Sequence, residues 1–438
     1  MVHKHHHHGP RTTDALSLVE QAIQAGNFVE TGVTFGPLIL KTFANTPVGA
    51  DPFPPFLNFW ASRRADTPIL FFMYFQASFS FSPFRLLGDF VTVANGPVPP
   101  PDPSAVLMFA PSDSVPDAVA EPIGFEEILT DHGSGNGAAF SYWRIIPPAG
   151  YCAMGIAFSS DWTTPPSASN YWCVKEDYVE PCGTSLFWSD GGTHIHANAC
   201  LRVPCITSAT PYPDGTILFA PPTFLSDQDI GNEQAFALRL SPALLPIAPL
   251  KPGAPQSGPN VNPGDTTALG IDYVSILPYT AVAAEAELPN QALLYPFYFF
   301  ASLPYWTCQS VLSTGAGGYK TYTYSIGTSE TQSQSIAAST SLTVDGSVGA
   351  QYGSVNGSIS VSFTQSFDLT YDSSQTGSSD YSVSVTINFP NQPTTWMWGY
   401  VKRIAVFRTD GTLVDIADYS VQEIQYLPDP TPPPSGQV

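Results

Sequence analysis

The chain has 438 residues, 43% of them hydrophobic and 13% aromatic, yet only 12% are charged, about half the usual share. Its formal net charge of -21 excludes a nucleic-acid partner, because 15 basic residues among 36 acidic ones cannot neutralise a run of phosphates. The same charge disfavours electrostatic docking on anionic lipid, and no apolar run approaches the roughly 18 to 20 residues of a membrane-spanning helix.

Residues 1–13, opening MVHKHHHHGP, read as an affinity tag and its scar, and no signal peptide is visible behind it. Residues 14–25, DALSLVEQAIQA, predict a helix: Asp14 caps it, Leu16, Val19 and Ile23 share a face, and Gly26 ends it. From there to about residue 300 the text predicts strands, in short runs of Phe, Tyr, Val, Ile and Trp punctuated by Pro, Gly, Asp and Ser. The 44 prolines favour turns and strand edges over long helices. Residues 241–264, SPALLPIAPLKPGAPQSGPNVNPG, predict a long exposed loop, and 428–438 a disordered Pro-rich tail.

An internal repeat organises the first half. FRLLGDFVTVANGPVPPPDPSAVLMFAP (84–111) aligns with YCAMGIAFSSDWTTPPSASNYWCVKE (151–176). Downstream, FEEILTDHGSGNGAAFSYWRIIPP (125–148) aligns with SLFWSDGGTHIHANACLRVPC (185–205), and a degraded third copy begins at GTILFAPPTF (215–224). Such copies predict a pseudo-symmetric prism or sandwich.

The chemistry-bearing residues are sparse. Six cysteines, five of them between Cys152 and Cys205, suit disulfides in an oxidising compartment. The favoured local loops are Cys173–Cys182 and Cys200–Cys205, with buried reduced thiols as the alternative. His194 and His196, followed by Cys200 and Cys205, invite a zinc reading, but no second ligand cluster stands nearby and a turn or surface role is favoured. Asp131, His132, Gly133 and Ser134 lack the strand–nucleophile–helix setting of a hydrolase elbow. Asp227 and Asp229 read as a solvated loop ahead of a calcium site. Of Trp143, Trp172, Trp188, Trp396 and Trp398, which could stack on sugars, most are expected in the core. No acid–base pair or nucleophile stands out, so the expectation is a protein without enzymatic activity or cofactor.

The repeat also carries a family pattern. Gly133 to Gly135, Tyr142 to Arg144, Pro147 to Tyr151 and Cys173 to Asp177 resemble the recurrent motifs of the Vps62 family, which includes insecticidal proteins. The match covers about residues 80–205 and departs from the pattern at Tyr142, Lys175 and Tyr178. The resemblance implies a β-prism-like recognition domain and supplies no catalytic residue.

After Trp306 the composition shifts to Ser, Thr, Gly and Tyr, and no basic residue occurs from Thr321 to Val401. Ile336, Ala338, Thr340, Leu342, Val344, Val348 and Tyr352 hold even positions, while Ser335, Ser339, Ser341, Thr343, Asp345, Ser347 and Gln351 hold odd ones. That two-residue period predicts one long two-sided strand. GSVNG (353–357) then shifts the parity, so that Ile359, Val361, Phe363, Phe367 and Leu369 are odd and Ser358, Ser360, Ser362, Ser366 and Asp368 even. A Gly- and Asn-bearing turn between alternating runs signals a hairpin with its tip at Gly353, Asn356 and Gly357. Tyr322, Tyr324 and Ile326 before it and Val383, Val385, Ile387 and Phe389 after it keep the same alternation. Asn356-Gly357-Ser358 is also a glycosylation sequon, and a glycan there would hinder insertion.

A membrane-spanning strand needs about 9–11 residues, apolar toward lipid and polar toward a lumen, within a closed barrel. The segment 308–426 resembles the pore-forming module of aerolysin-like proteins. The expected architecture is therefore all-β: residues 14–305 a β-prism-like recognition domain with one helix, and 306–427 an elongated antiparallel module. The expected function is a secreted or released toxin that binds a glycan or protein receptor on a target-cell membrane. It would then form a homo-oligomer and insert the hairpin, with Asp345, Asp368, Ser341 and Ser362 toward the lumen. The rival readings are a non-lytic lectin-like binding protein, its ribbon a permanent surface sheet, and an intracellular trafficking or scaffold factor.

Overall fold

The computed structural model describes Val19 and residues 32–42, 58–61, 71–74, 83–89, 91–93, 107–132, 139, 141–189, 200–206, 216–226, 234–241, 243–244, 247, 249–279, 282, 295, 297–313, 318–327, 342–345, 349–354, 357–359, 380–389, 394–408 and 411–428. Strand pairs with strand in antiparallel fashion throughout these residues, and two short 3₁₀ turns, Ala168–Asn170 and Glu176–Tyr178, interrupt them. The fold is all-β. Of the helix predicted over 14–25 only Val19 is described, and it is buried. The chain divides into two compact units: residues 1–26, 244–276 and 298–438 form one, and 27–243 with 277–297 the other.

The second of these units contains a five-stranded sheet and several three-stranded ones. The repeat read in the sequence is visible in its hairpins. Gly124–Thr130 pairs with Ser141–Ile146, and Val179–Ser189 pairs with Cys200–Cys205. Each pairing is broken at a matching place, between Glu127 and Leu129 in one copy and between Leu186 and Trp188 in the other. Such bulges bend the strand and deepen its twist.

The other half of the repeat explains two glycines. Gly88 and Gly155, which the alignment places at equivalent positions, meet each other: a Cβ on Gly88 would lie 2.9 Å from the Gly155 Cα. A Cβ on Gly155 would lie 2.8 Å from the Thr223 side chain, so part of the third copy closes on the same point. Asp89, fully buried beside this crossing, accepts the Phe158 N–H at 2.6 Å and the Tyr171 hydroxyl at 2.8 Å. Burial pushes its carboxyl up to about 8 against those two hydrogen bonds, well above the usual carboxylate range.

Most of the motif residues around 142–177 have structural work. Tyr142 is buried, and Arg144 pairs with Glu126 at 2.9 Å across the bulged hairpin. Gly150, at φ 82, makes the turn that returns Tyr151 onto Pro148, and the Tyr151 hydroxyl donates to the Asp117 carbonyl. Lys175 reaches the Asp117 carboxylate from the neighbouring strand.

The disulfide expectation is corrected: all six cysteines are free thiols. Cys200 and Cys205 end one extended strand, Cys200–Cys205, about 17 Å apart at strand rise, far beyond the ~7 Å that a disulfide spans. Cys173 lies near Cys152 and Cys182 near Cys205, so the predicted partners Cys173 and Cys182 each have another neighbour. Burial pushes both of these thiols up to about 12, which makes them poor nucleophiles.

The first unit holds most of a seven-stranded sheet that runs in the order Ala243–Leu244, Tyr273–Pro278, Phe297–Ser313, Thr394–Arg408, Leu413–Pro428, Gly318–Gly327, Asp380–Phe389. TTWMWGYVKRIAVFR (394–408) is buried on both faces along almost its whole length, as a near-continuous apolar run demands. Trp396, Trp398 and Cys308 form a small core with Val261, Trp306, Val311 and Leu427 around it. Residues 249–264 of the prolyl stretch are largely exposed, as read, and lie as a strap along this core. Its carbonyls at Gln256 and Val261 accept the Trp398 and Trp396 indole N–H groups. Beyond it the backbone bonds Gly264 to Cys308, Thr267 to Trp306 and Gly270 to Pro304. Trp143, Trp396 and Trp398 are core residues, as expected.

Candidate functional site

The segment predicted as a hairpin is bracketed in the sequence by the two strands of one β-ribbon. Gly318–Gly327 and Asp380–Phe389 pair without interruption over ten residues, from Gly318 opposite Phe389 to Gly327 opposite Asp380. Tyr322 faces Val385, Tyr324 faces Val383 and Lys320 faces Ile387 in register, with Thr321 opposite Thr386. The hydroxyls of that last pair lie 2.9 Å apart on the exposed face, and Tyr319 is 78% exposed. The ribbon joins the rest of its sheet where Gly327 lies opposite Ser420, and Asp380–Phe389 is the sheet's edge strand. The chain that leaves at Gly327 therefore returns at Asp380, directly across the ribbon.

Between these points three described strands, Leu342–Asp345, Gly349–Ser354 and Gly357–Ile359, form a meander. This corrects the long strand predicted over 336–352: the chain reverses between Asp345 and Gly349, where the sequence Asp-Gly-Ser-Val-Gly carries the Asp-Gly pair that favours a tight reversal. The second reversal, between Ser354 and Gly357, falls inside the predicted GSVNG turn. Gly353 belongs to the strand before it, opposite Ser358, and Gly357 opens the strand after it. Leu342 is opposite Tyr352, Val344 opposite Ala350, and Tyr352 opposite Ile359, so the apolar positions stay in register across all three strands. Thr343 opposite Gln351 and Asp345 opposite Gly349 keep the polar positions together in the same way. Ile336, Ala338, Thr340, Ser341, Val348, Asn356, Val361, Ser362, Phe363, Phe367, Asp368 and Leu369 lie outside the described residues, as do His194, His196, Asp227, Asp229 and Gly133 to Gly135.

Sequence reasoning missed what holds the ribbon's sheet. Arg403, 1% exposed, donates from Nε to Asp418 Oδ1 at 2.7 Å and from Nη2 to Oδ2 at 2.9 Å, with its guanidinium 5.2 Å from the Tyr305 ring. Lys402, on the other side of the same strand, lies 3.6 Å from Asp272. Two adjacent basic residues in an apolar strand were the available signal. Among the described residues no three metal-binding side chains stand together, and no helix is long and apolar enough to cross a membrane.

No protein-family model matches the sequence, and no curated protein matches it, so the Vps62 likeness stands on the quoted motifs alone. Among solved structures the chain is similar to GNIP1Aa from Chromobacterium piscinae, at 19% identity and a TM-score of 0.32, over 46% of this chain and 37% of that one. It is also similar to Cry35Ab1, at 11% identity and a TM-score of 0.36, over 70% of this chain and 89% of that one. The chain thus spans little more than a third of the length of GNIP1Aa, and likenesses this weak assign no activity.

Proposed function

We propose that the protein is a β-pore-forming toxin. It docks on a target-cell membrane through a glycan or protein receptor, assembles into a ring and unfolds the meander into a membrane-spanning hairpin. The observation that carries this reading is the register of the ribbon. Stepped onward through the sequence, one residue forward on one strand for each residue back on the other, the pairing of Gly327 with Asp380 sets Ile336 against Tyr371. It then sets Ala338 against Leu369, Val344 against Phe363, Gly346 against Val361 and Val348 against Ile359. On the alternate positions it sets Ser339 against Asp368, Ser341 against Ser366, Thr343 against Thr364 and Asp345 against Ser362. Leu342 against Gln365, Thr340 against Phe367 and Ala337 against Thr370 mix the two kinds. The register runs out at Tyr352 and Val355, around Gly353-Ser354, a two-residue Gly-first loop of the kind that closes hairpins.

One sequence therefore suits two pairings. The meander keeps apolar with apolar in the described state, and the extended ribbon does so over a length of about 50 Å, ample for a core of ~30 Å even when tilted. Backbone hydrogen bonds lost from the meander are regained in the ribbon and then between copies, as closure in lipid requires. The face with Asp345, Asp368, Ser341 and Ser362 becomes the lumen.

Paired cysteines distinguish the two registers. Oxidised Thr343→Cys with Gln351→Cys locks the meander and is expected to abolish dye release from target vesicles until a reductant is added. Thr343→Cys with Thr364→Cys is expected to cross-link in the membrane-bound state and to leak when oxidised. Full leakage with the meander locked refutes the reading. In planar bilayers, Asp345→Lys with Asp368→Lys is expected to reverse a cation preference to an anion preference; an unchanged preference removes these two from the lumen.

A further inference from the structure

Among the described tryptophans, Trp143, Trp396 and Trp398 are spent in packing, yet Trp162 is 38% exposed in a polar loop, SSDWTTPP. It is not loose there. Its indole Nε1–H donates to Asp131 Oδ1 at 2.8 Å, and Asp131 is itself only 2% exposed. The His132 ring meets the indole edge-to-face, with centroids 4.6 Å apart and planes at 86°. A buried carboxylate holds one edge of the ring and an imidazole supports it.

The loop under the ring is fixed as firmly. Asp161 Oδ1 accepts the Thr163 N–H at 2.7 Å, the Thr164 N–H at 2.8 Å and the Thr163 hydroxyl at 3.1 Å. Ser159 Oγ donates to the Thr164 carbonyl at 2.6 Å and accepts the Asp161 N–H at 3.1 Å. Ser141 Oγ donates to the Asp161 carbonyl and accepts the Trp143 indole N–H at 2.9 Å, tying the loop to a buried tryptophan on the strand beneath. Seven hydrogen bonds thus organise a short loop whose side chains from Asp161 to Thr164 all remain exposed. Holding a large aromatic ring rigid without burying it wins little for the fold, but it removes the ordering cost from binding.

We infer that Trp162, with Asp131 and His132 positioning it and Asp161 and Thr163 beside it, is a binding site for an uncharged saccharide. The apolar face of a pyranose stacks on an indole, and its vicinal hydroxyls bond a carboxylate and a threonine hydroxyl at the ring's rim. A carboxylate at the rim and the chain's charge of -21 repel sialylated or sulfated sugars. The site rests on the proposed receptor-docking step and gives that step a ligand class. It is read by sugar capture and not by leakage, so its failure leaves the leakage experiments untouched.

The test is a printed panel of neutral hexose and N-acetylhexosamine oligosaccharides, with sialylated and sulfated ones and phosphatidylcholine vesicles as controls. The expected result is capture by one or more neutral oligosaccharides, weakened at least about tenfold in Trp162→Ala and by less in Trp162→Phe, which keeps a ring but not the bond to Asp131. Thr163→Val, which leaves the indole in place, is expected to weaken the same sugars. Capture unchanged in Trp162→Ala, capture of anionic sugars alone, or no capture by any sugar overturns the site. Binding of the sugar-free vesicles through Trp162 overturns it in favour of a lipid contact.

Discussion

The centre and the edge of the seven-stranded sheet are built on opposite plans. Thr394–Arg408 is buried on both faces and carries two core tryptophans and a bidentate Arg403–Asp418 pair. The ribbon of Gly318–Gly327 and Asp380–Phe389 instead exposes Tyr319, Thr321 and Thr386, and the hydroxyl contact between its two threonines stands in solvent. Both are antiparallel, and it is the centre whose pairing is interrupted by bulges, so better backbone pairing is not what sets the centre apart. The difference lies in burial: both faces are covered at the centre, and at the edge the three side chains described are open to solvent.

The sharpest way to break the comparison is at the centre. Arg403→Ala leaves the Asp418 carboxylate without its cation in a largely buried setting and is expected to cost about 3–5 kcal/mol in urea unfolding. Replacing both, Arg403→Met with Asp418→Leu, is expected to recover most of that loss. If Arg403→Ala costs no more than a surface change, the centre is not locked as described.

A buried acid with no cation beside it among the described residues offers the contrasting case. Asp89 is held at about 8, above its ordinary 3.8, so the native state binds a proton that the unfolded chain has released between those values. Its contribution to stability is then fully present below pH 3.8 and is lost as pH rises toward 8, at up to about 1.4 kcal/mol per pH unit. Unfolding measured from pH 4 to 9 is expected to show this decline in the parent and a flatter profile in Asp89→Asn. Parallel profiles would mean that Asp89 does not titrate in that window.

The smallest effect belongs to the edge. Thr386→Val removes the exposed hydroxyl contact with Thr321 and is expected to change stability by under about 1 kcal/mol, with leakage retained. A loss as large as that of Arg403→Ala would erase the distinction between centre and edge.

Periodicity carried much of this in the sequence. Strand type, the all-β class, the apolar register of the described strands within 342–359 and the equivalence of Gly88 and Gly155 in the repeat were legible, because each is a pattern written along the chain itself. The cysteine pairs were not, since Cys200 and Cys205 are near in sequence and far apart along a straight strand. Nor was the reversal after Asp345, because a two-residue period looks the same in one long strand as in two short ones folded together.

By itself, then, the sequence determined which residues share a side of each strand, since that follows from the pleat. Which strands lie next to one another, and so which acid is paired with Arg403, which is left to hold a proton with Tyr171, and which braces Trp162 in the open, was decided only by the tertiary structure. Those contacts join residues 15, 82 and 31 positions apart, and no local pattern encodes a meeting at that range.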